Sequence, residues 1–194
     1  MARKVTNDDH VQSVVRKVYA DALRVDWEYL TQREHTEQYA RWLTDPEVGG
    51  VLAPWMSPEE QRVWLKDGPL KEFARALAGM GDYAVYLDEH PRSPQVVVKR
   101  LLGEGWSPVP QSGNTKPLRC RASDGARSVT LLWGPARDFK HLLWAALEGL
   151  DQSPEMQLRI AVFDTISRPF ASGERDKLAR IASRCGIEVS FIRL

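Results

Sequence analysis

The chain has 194 residues, 43% of them hydrophobic and 27% charged, which is the composition of an ordinary folded protein. No apolar run approaches the roughly 20 residues that span a bilayer, and the start, MARKVTNDDHVQS, has no apolar signal core, so neither a membrane protein nor an exported one is expected. Two cysteines, Cys120 and Cys185, are too few for a disulfide framework or a four-cysteine zinc site, and they read as cytoplasmic thiols.

A net charge of +1 hides an asymmetry: residues 1–93 carry −4 and residues 94–194 carry +5. An acidic half joined to a basic half suggests two modules with different partners.

The acidic half reads as helical. Val11, Val14, Val15, Val18, Ala22, Val25 and Tyr29 follow i, i+3, i+4 spacing and predict one long helix with a single apolar face. Thr31-Gln-Arg-Glu34 has capping-box spacing and opens a second helix carrying Tyr39, Trp42 and Leu43. Ser57-Pro58-Glu59-Glu60 combines an N-cap serine, a first-turn proline and a glutamate three residues after the cap. Gly68-Pro69 interrupts; Leu70, Phe73, Ala74 and Leu77 form the next apolar face, which Gly79 and Gly81 end. No strand is expected before residue 83. Two prolines in Asp88-Glu-His-Pro-Arg-Ser-Pro94 predict a linker, giving modules 1–88 and 94–194.

The basic half alternates element types. Pro94–Leu102 reads as a helix capped by Ser93. Leu118–Ala122 and Arg127–Trp133 read as strands joined by a turn at Ser123-Asp-Gly-Ala126. Phe139, Leu142, Leu143, Ala146, Leu147 and Leu150 give a helical face. Leu158–Phe163 is a strand, Leu178, Ile181 and Ala182 mark a helix, and Ile187–Ile192 is the last strand. The expected fold is therefore α+β: a helical N-terminal module, then α-β-β-α-β-α-β.

Several chemistries are excluded or weak. There is no phosphate-binding loop and no Gly-x-Ser-x-Gly elbow, and Gly103-x-Gly105 lacks the third glycine of a dinucleotide fingerprint. His10, His35, His90 and His141 are scattered without metal-ligand spacing, so no metal and no cofactor are expected. Cys120 sits between Arg119 and Arg121, but strand alternation puts it on the opposite face, as a small core residue. Asp164 ends an apolar strand, where α/β folds often place metal or catalytic groups. With Glu174 or Asp176 it defines one alternative reading, a metal-dependent nuclease. Trp55, in the glycine-rich loop Val48–Met56 of the acidic half, defines another: a protein–protein adaptor whose tryptophan docks a partner.

The leading reading comes from residues 98–150. Leu101-Leu102-Gly-Glu-Gly105-Trp106 closes a helix, Ser112-Gly113-Asn114-Thr115-Lys116 forms a glycine-polar turn, two strands follow, and Arg137-Asp138-Phe139-Lys140 opens a helix. This order resembles the HicA-type toxin domain, a small fold similar to the double-stranded-RNA-binding domain. The resemblance implies a bacterial toxin–antitoxin, mobile-element or defence setting. The family's catalytic histidine belongs in the turn, where Asn114 or Lys116 stands instead, so the expectation is nucleic-acid binding without cleavage rather than an enzyme. The residues expected to meet phosphate and sugar are Lys99, Arg100, Asn114, Thr115, Lys116, Arg119, Arg121 and Arg127.

Overall fold

The computed structural model describes residues 8–110, 117–164 and 169–193. Their contacts divide the chain into two compact units, Met1–His90 and Pro91–Leu194. The fold is α+β, with helices in the N-terminal half and a mixed five-stranded sheet in the C-terminal half.

The first unit is built from α1 (Asp8–Arg24), α2 (Gln32–Thr44), α3 (Pro58–Asp67) and α4 (Pro69–Ala76). Both capping boxes form: Thr31 Oγ1 accepts from Glu34 N–H and Ser57 Oγ accepts from Glu60 N–H, while each glutamate accepts from the backbone N–H of its cap. The first helix is shorter than its apolar periodicity predicts. Asp26 takes a left-handed conformation, φ 51°, which breaks the helix before Trp27–Tyr29 form a separate short turn. A π-helical turn at Pro46–Gly50, absent from the sequence reading, follows α2. Val14, Val18, Tyr19, Trp42, Leu52, Leu65 and Phe73 fill the core. Within it Asp21 is a polar hub, accepting from Trp42 Nε1 at 3.1 Å, Lys17 Nζ at 2.9 Å and Arg24 Nη2 at 3.1 Å.

The second unit runs α5 (Pro94–Leu102), β1 (Ser107–Pro108), β2 (Leu118–Ser123), β3 (Ser128–Pro135), α6 (Phe139–Gln152), β4 (Leu158–Asp164), α7 (Glu174–Ser183) and β5 (Glu188–Arg193). The strands lie in chain order across one sheet. β1, β2 and β3 pair antiparallel, and β3, β4 and β5 pair parallel through α6 and α7. The terminal β-α-β thus extends the same sheet, a point the sequence left open. β1 was not expected; two residues give no periodicity to detect. β3 runs on through Gly134 and Pro135 because β4 pairs with them at Val162 and Phe163.

Alternation divides this unit's core between the two faces of the sheet. Val97 and Val98 of α5 pack with Cys120, Ala122, Val129, Leu131, Trp133, Ala161 and Phe163 on one side. Leu142 and Ala146 of α6 and Leu178 and Ala182 of α7 pack with Leu132, Ile160 and Val162 on the other. Cys120 is accordingly a core residue, 3% exposed, and burial pushes its thiol up to about 11. Among the described residues, no helix is long and apolar enough to cross a membrane.

Candidate nucleic-acid interface

The register of β2 decides where its charges go. Leu118, Cys120 and Ala122 face α5, so Arg119 and Arg121 point to the side occupied by α6 and α7. Arg119 stands opposite Leu132 and Arg121 opposite Thr130. Helix α6 packs over β3 and β4, and both arginines of β2 are exposed. Arg121 Nη2 donates to Ser128 Oγ at 3.0 Å. Among the described residues no carboxylate lies within ion-pair distance of either guanidinium, so their charge is available to a ligand.

Of the other expected contacts, Lys99, Arg100 and Arg127 are not assembled with this pair. Arg127 belongs to the turn: its Nε and Nη2 donate to Asp124 Oδ2 at 2.9 and 2.7 Å, and its guanidinium lies 5.4 Å from the centre of the Trp106 ring. The Arg127 backbone N–H and then its side chain hold the Asp124 carboxyl below its usual pKa. Lys99 and Arg100 lie on α5, which covers the opposite face of the sheet from Arg119 and Arg121. Lys99 Nζ pairs with Glu104 at 2.8 Å, and Arg100 Nη1 donates to the Arg193 carbonyl at 2.7 Å. The sheet thus separates Lys99 and Arg100 from Arg119 and Arg121, because α5 and the outward face of β2 present their polar groups to different sides. Asn114, Thr115 and Lys116 lie outside the described residues.

The acidic candidates do not form a metal centre. Asp164 is 2% exposed at the carboxyl end of β4. Its Oδ2 accepts from Phe170 N–H at 3.1 Å and from Arg175 Nη2 at 3.4 Å, and Arg193 Nε lies 3.6 Å from Oδ1. The carboxylate is thus paired with two guanidiniums, and its Oδ1 accepts no hydrogen bond among the described residues. Glu174 Oε2 accepts from Ala171 N–H at 3.0 Å, which fixes it in the turn before α7. Asp176 is exposed in the first helical turn, favourable there through the helix dipole. Among the described residues, no group of three His, Cys, Asp or Glu side chains is placed to hold a metal ion.

Trp55 is half-buried, its ring 5.1 Å from that of His10. It lines an open cleft of about 560 Å³ with Leu43, Gly50, Pro54, Met56 and Gln61. Gln61 is 3% exposed, and its Nε2 donates to the carbonyls of Gly49 and Met56 at 3.3 and 3.1 Å. Its Oε1 has no hydrogen-bond partner among the described residues.

One basic row escaped the sequence reading. Lys177, Arg180 and Arg184 sit at i, i+3 and i+7 on α7 and its C-cap, all exposed, while Leu178 and Ala182 face the core. The i, i+3, i+7 spacing marks them as one helix face in the sequence itself.

No protein-family model matches the sequence, and no curated protein or solved structure does either.

Proposed function

We propose that the second unit binds nucleic acid through the exposed face of β2 and does not cleave it. The observation that carries this reading is the pair Arg119 and Arg121: side by side on one strand face, exposed, and free of carboxylate partners among the described residues. Residues two apart on a strand are separated by about 6.7 Å, so the two guanidiniums can address successive phosphates of one backbone. Arginine forks suit phosphate geometry, and such contacts position a ligand without reading its sequence. The HicA-type resemblance of residues 98–150 makes RNA the first ligand to test, in a toxin–antitoxin, mobile-element or defence setting. Asp164, paired with Arg175 and Arg193 and accepting from Phe170 N–H, is on this reading a structural carboxylate rather than a metal ligand.

The test is fluorescence anisotropy of labelled RNA and DNA oligonucleotides across a salt series. Replacing Arg119 and Arg121 by Gln removes two phosphate contacts. It should flatten the slope of log K against log salt by about 1.4 for a single strand and about 1.8 for a duplex. Failure of the wild-type protein to bind either polymer at low salt overturns the reading.

A second reading, a protein–protein adaptor, is favoured by the cleft of the first unit. Trp55 lines it half-buried with Leu43, Pro54 and Met56, so a peptide segment with an apolar body would complement it. In that case a polypeptide rather than nucleic acid copurifies with the chain, and Trp55→Ala releases it.

A further inference from the structure

The outward faces of α6 and α7 carry a second set of groups. Trp144 is 63% exposed on α6, on the opposite side of the helix from Leu142 and Ala146, which are fully buried. An indole left in water on a helix whose other face is well packed is not filling a core. Trp144 Nε1 donates to Glu148 Oε1 at 2.7 Å, so its polar edge is satisfied one turn along the helix while most of the ring stays uncovered. Lys140, one turn earlier, is exposed on the same face.

Helix α7 lies on the same side of the sheet, sharing a core cluster with α6. Leu178 and Ala182 of α7 belong to the same core cluster as Leu142 and Ala146 of α6, so the outward row Lys177, Arg180 and Arg184 rises from the same side of the sheet as Trp144. The row is about 10 Å long at 1.5 Å per residue. Lys140, Lys177, Arg180 and Arg184 have no carboxylate partner among the described residues. The acids nearby are partly engaged. Glu148 holds the Trp144 indole and Glu174 holds Ala171 N–H, leaving Asp151 at the end of α6 and Asp176 at the start of α7 exposed. The surface carries the cations Lys140, Lys177, Arg180 and Arg184 and the Trp144 ring, with the Glu148 carboxylate beside the ring.

We propose that this α6–α7 surface binds an unpaired nucleic-acid strand, its backbone tracking the basic row of α7 and one base stacking on Trp144. The proposal rests on the nucleic-acid reading above and deepens it by naming the form of ligand. A duplex keeps its base faces stacked inside the helix and offers Trp144 nothing to pair with. An unpaired strand offers a π-face with every nucleotide, and a charged track beside an exposed ring is the arrangement that exploits it.

The experiment measures anisotropy of one labelled oligonucleotide, single-stranded and annealed to its complement, over a salt series. It compares wild type, Trp144→Ala, Trp144→Phe, the triple variant K177Q/R180Q/R184Q, and R119Q/R121Q. Every substituted side chain is exposed, so thermal unfolding should be unchanged and serves as the folding control. Trp144→Ala should weaken single-strand binding about fivefold or more, duplex binding less than twofold, and leave the salt slope as it was. Trp144→Phe should retain most of the single-strand affinity. The triple variant should flatten the single-strand slope by about 2, at about 0.7 per contact. The proposal is overturned if Trp144→Ala binds the single strand like wild type, or loses both forms equally. It is also overturned if Trp144→Ala converts a dimer into a monomer, since the ring would then serve self-association. Loss of binding in R119Q/R121Q alone, with the α6 and α7 variants unaffected, removes this proposal and leaves the β2 interface standing. A wild type that binds neither form removes both.

Discussion

Asp21 is the place where one substitution should report most about the first unit. It lies on α1 and is 7% exposed, and its carboxylate joins α1 to α2 by accepting from Trp42 Nε1, while Lys17 and Arg24 pair with it on the solvent side. Asp21→Ala strands the indole N–H of Trp42, which is 1% exposed, and an unsatisfied buried donor costs about 1–3 kcal/mol. The two cations contribute less. The Lys17 and Arg24 side chains are 30% and 73% exposed, so water replaces the lost carboxylate and each pair adds at most about 1 kcal/mol. The expected loss is about 2–4 kcal/mol for Asp21→Ala. It is about half that for Asp21→Asn, which keeps an acceptor and loses only the charge. Urea unfolding followed by tryptophan fluorescence measures it, since Trp27, Trp42, Trp55 and Trp64 belong to this unit.

The same carboxylate gives the sign of an acid dependence. Burial pushes the Asp21 pKa up, but hydrogen bonds from Lys17, Trp42 and Arg24 together outweigh it, and the folded value lies below the ordinary 3.8. A folded pKa below the unfolded one stabilises above pH 3.8, and that stability is lost as pH falls through the folded value. The partner Lys17 is shifted the other way: the hydrogen bond to Asp21 raises its pKa above 10.5, so its share persists to that pH and is lost in stronger alkali. Asp21→Asn should therefore lose less stability than wild type as pH falls through and below 3.8. An Asp21→Ala protein within about 0.5 kcal/mol of wild type, the limit for ordinary surface substitutions, would refute the hub. So would an Asp21→Asn protein with the full wild-type acid dependence.

Three further outcomes test other parts of the structure. In the π-helical turn, a Cβ on Gly49 would overlap the Leu43 carbonyl, whereas one on Gly50 meets only Asp45 O at 3.8 Å and Pro46 Cβ at 3.9 Å. Gly49→Ala should cost more than about 3 kcal/mol and Gly50→Ala under about 1, read by urea unfolding. At pH 8 iodoacetamide should label the half-buried Cys185 and spare Cys120, whose thiol burial raises to about 11, and peptide mapping will show an exposed or strained β2 if Cys120 reacts first. Asp164→Ala should cost about 1–3 kcal/mol by stranding Phe170 N–H and leaving Arg175 and Arg193 to water, while Asp164→Asn should leave any nucleic-acid binding intact. Metal-dependent cleavage abolished by the Asn variant would restore Asp164 to chemistry.

Local signals carried most of the fold. Thr31 and Ser57 start their helices because side-chain caps are decided within four residues, and Leu158–Phe163 is a strand because a short apolar run fits a sheet buried on both faces. The features the sequence concealed depend on partners far along the chain. β3 reaches Pro135 only because β4 is there to pair with it, and β1 exists only as an edge against Ser123 and Ala122. The left-handed Asp26 that shortens α1 interrupts a periodicity that would otherwise run to Tyr29.

The candidate site divides along the same line. That Arg119 and Arg121 share a face follows from strand alternation, which any reader of the sequence can apply. That Lys99 and Arg100 do not join them follows from the face α5 covers, and Val97 and Val98 would have packed equally well on either side as far as local pattern is concerned. The structure then sorts cations by whether a carboxylate or carbonyl reaches them. Lys99, Arg100, Arg127, Arg159 and Arg175 are held within the molecule by Glu104, the Arg193 carbonyl, Asp124, Glu188 and Asp164. Arg119, Arg121, Lys140, Lys177, Arg180 and Arg184 have no such carboxylate among the described residues, and all six belong to the side of the sheet that carries α6 and α7. The described cations without carboxylate partners are therefore gathered on one side of the sheet, where α6 and α7 also carry the exposed acids Glu148, Asp151 and Asp176. Among the described residues, Lys99, Arg100, Arg127 and Arg159 already have partners, whereas a polyanion approaching the α6–α7 side meets cations that exchange only water and counterions for phosphate.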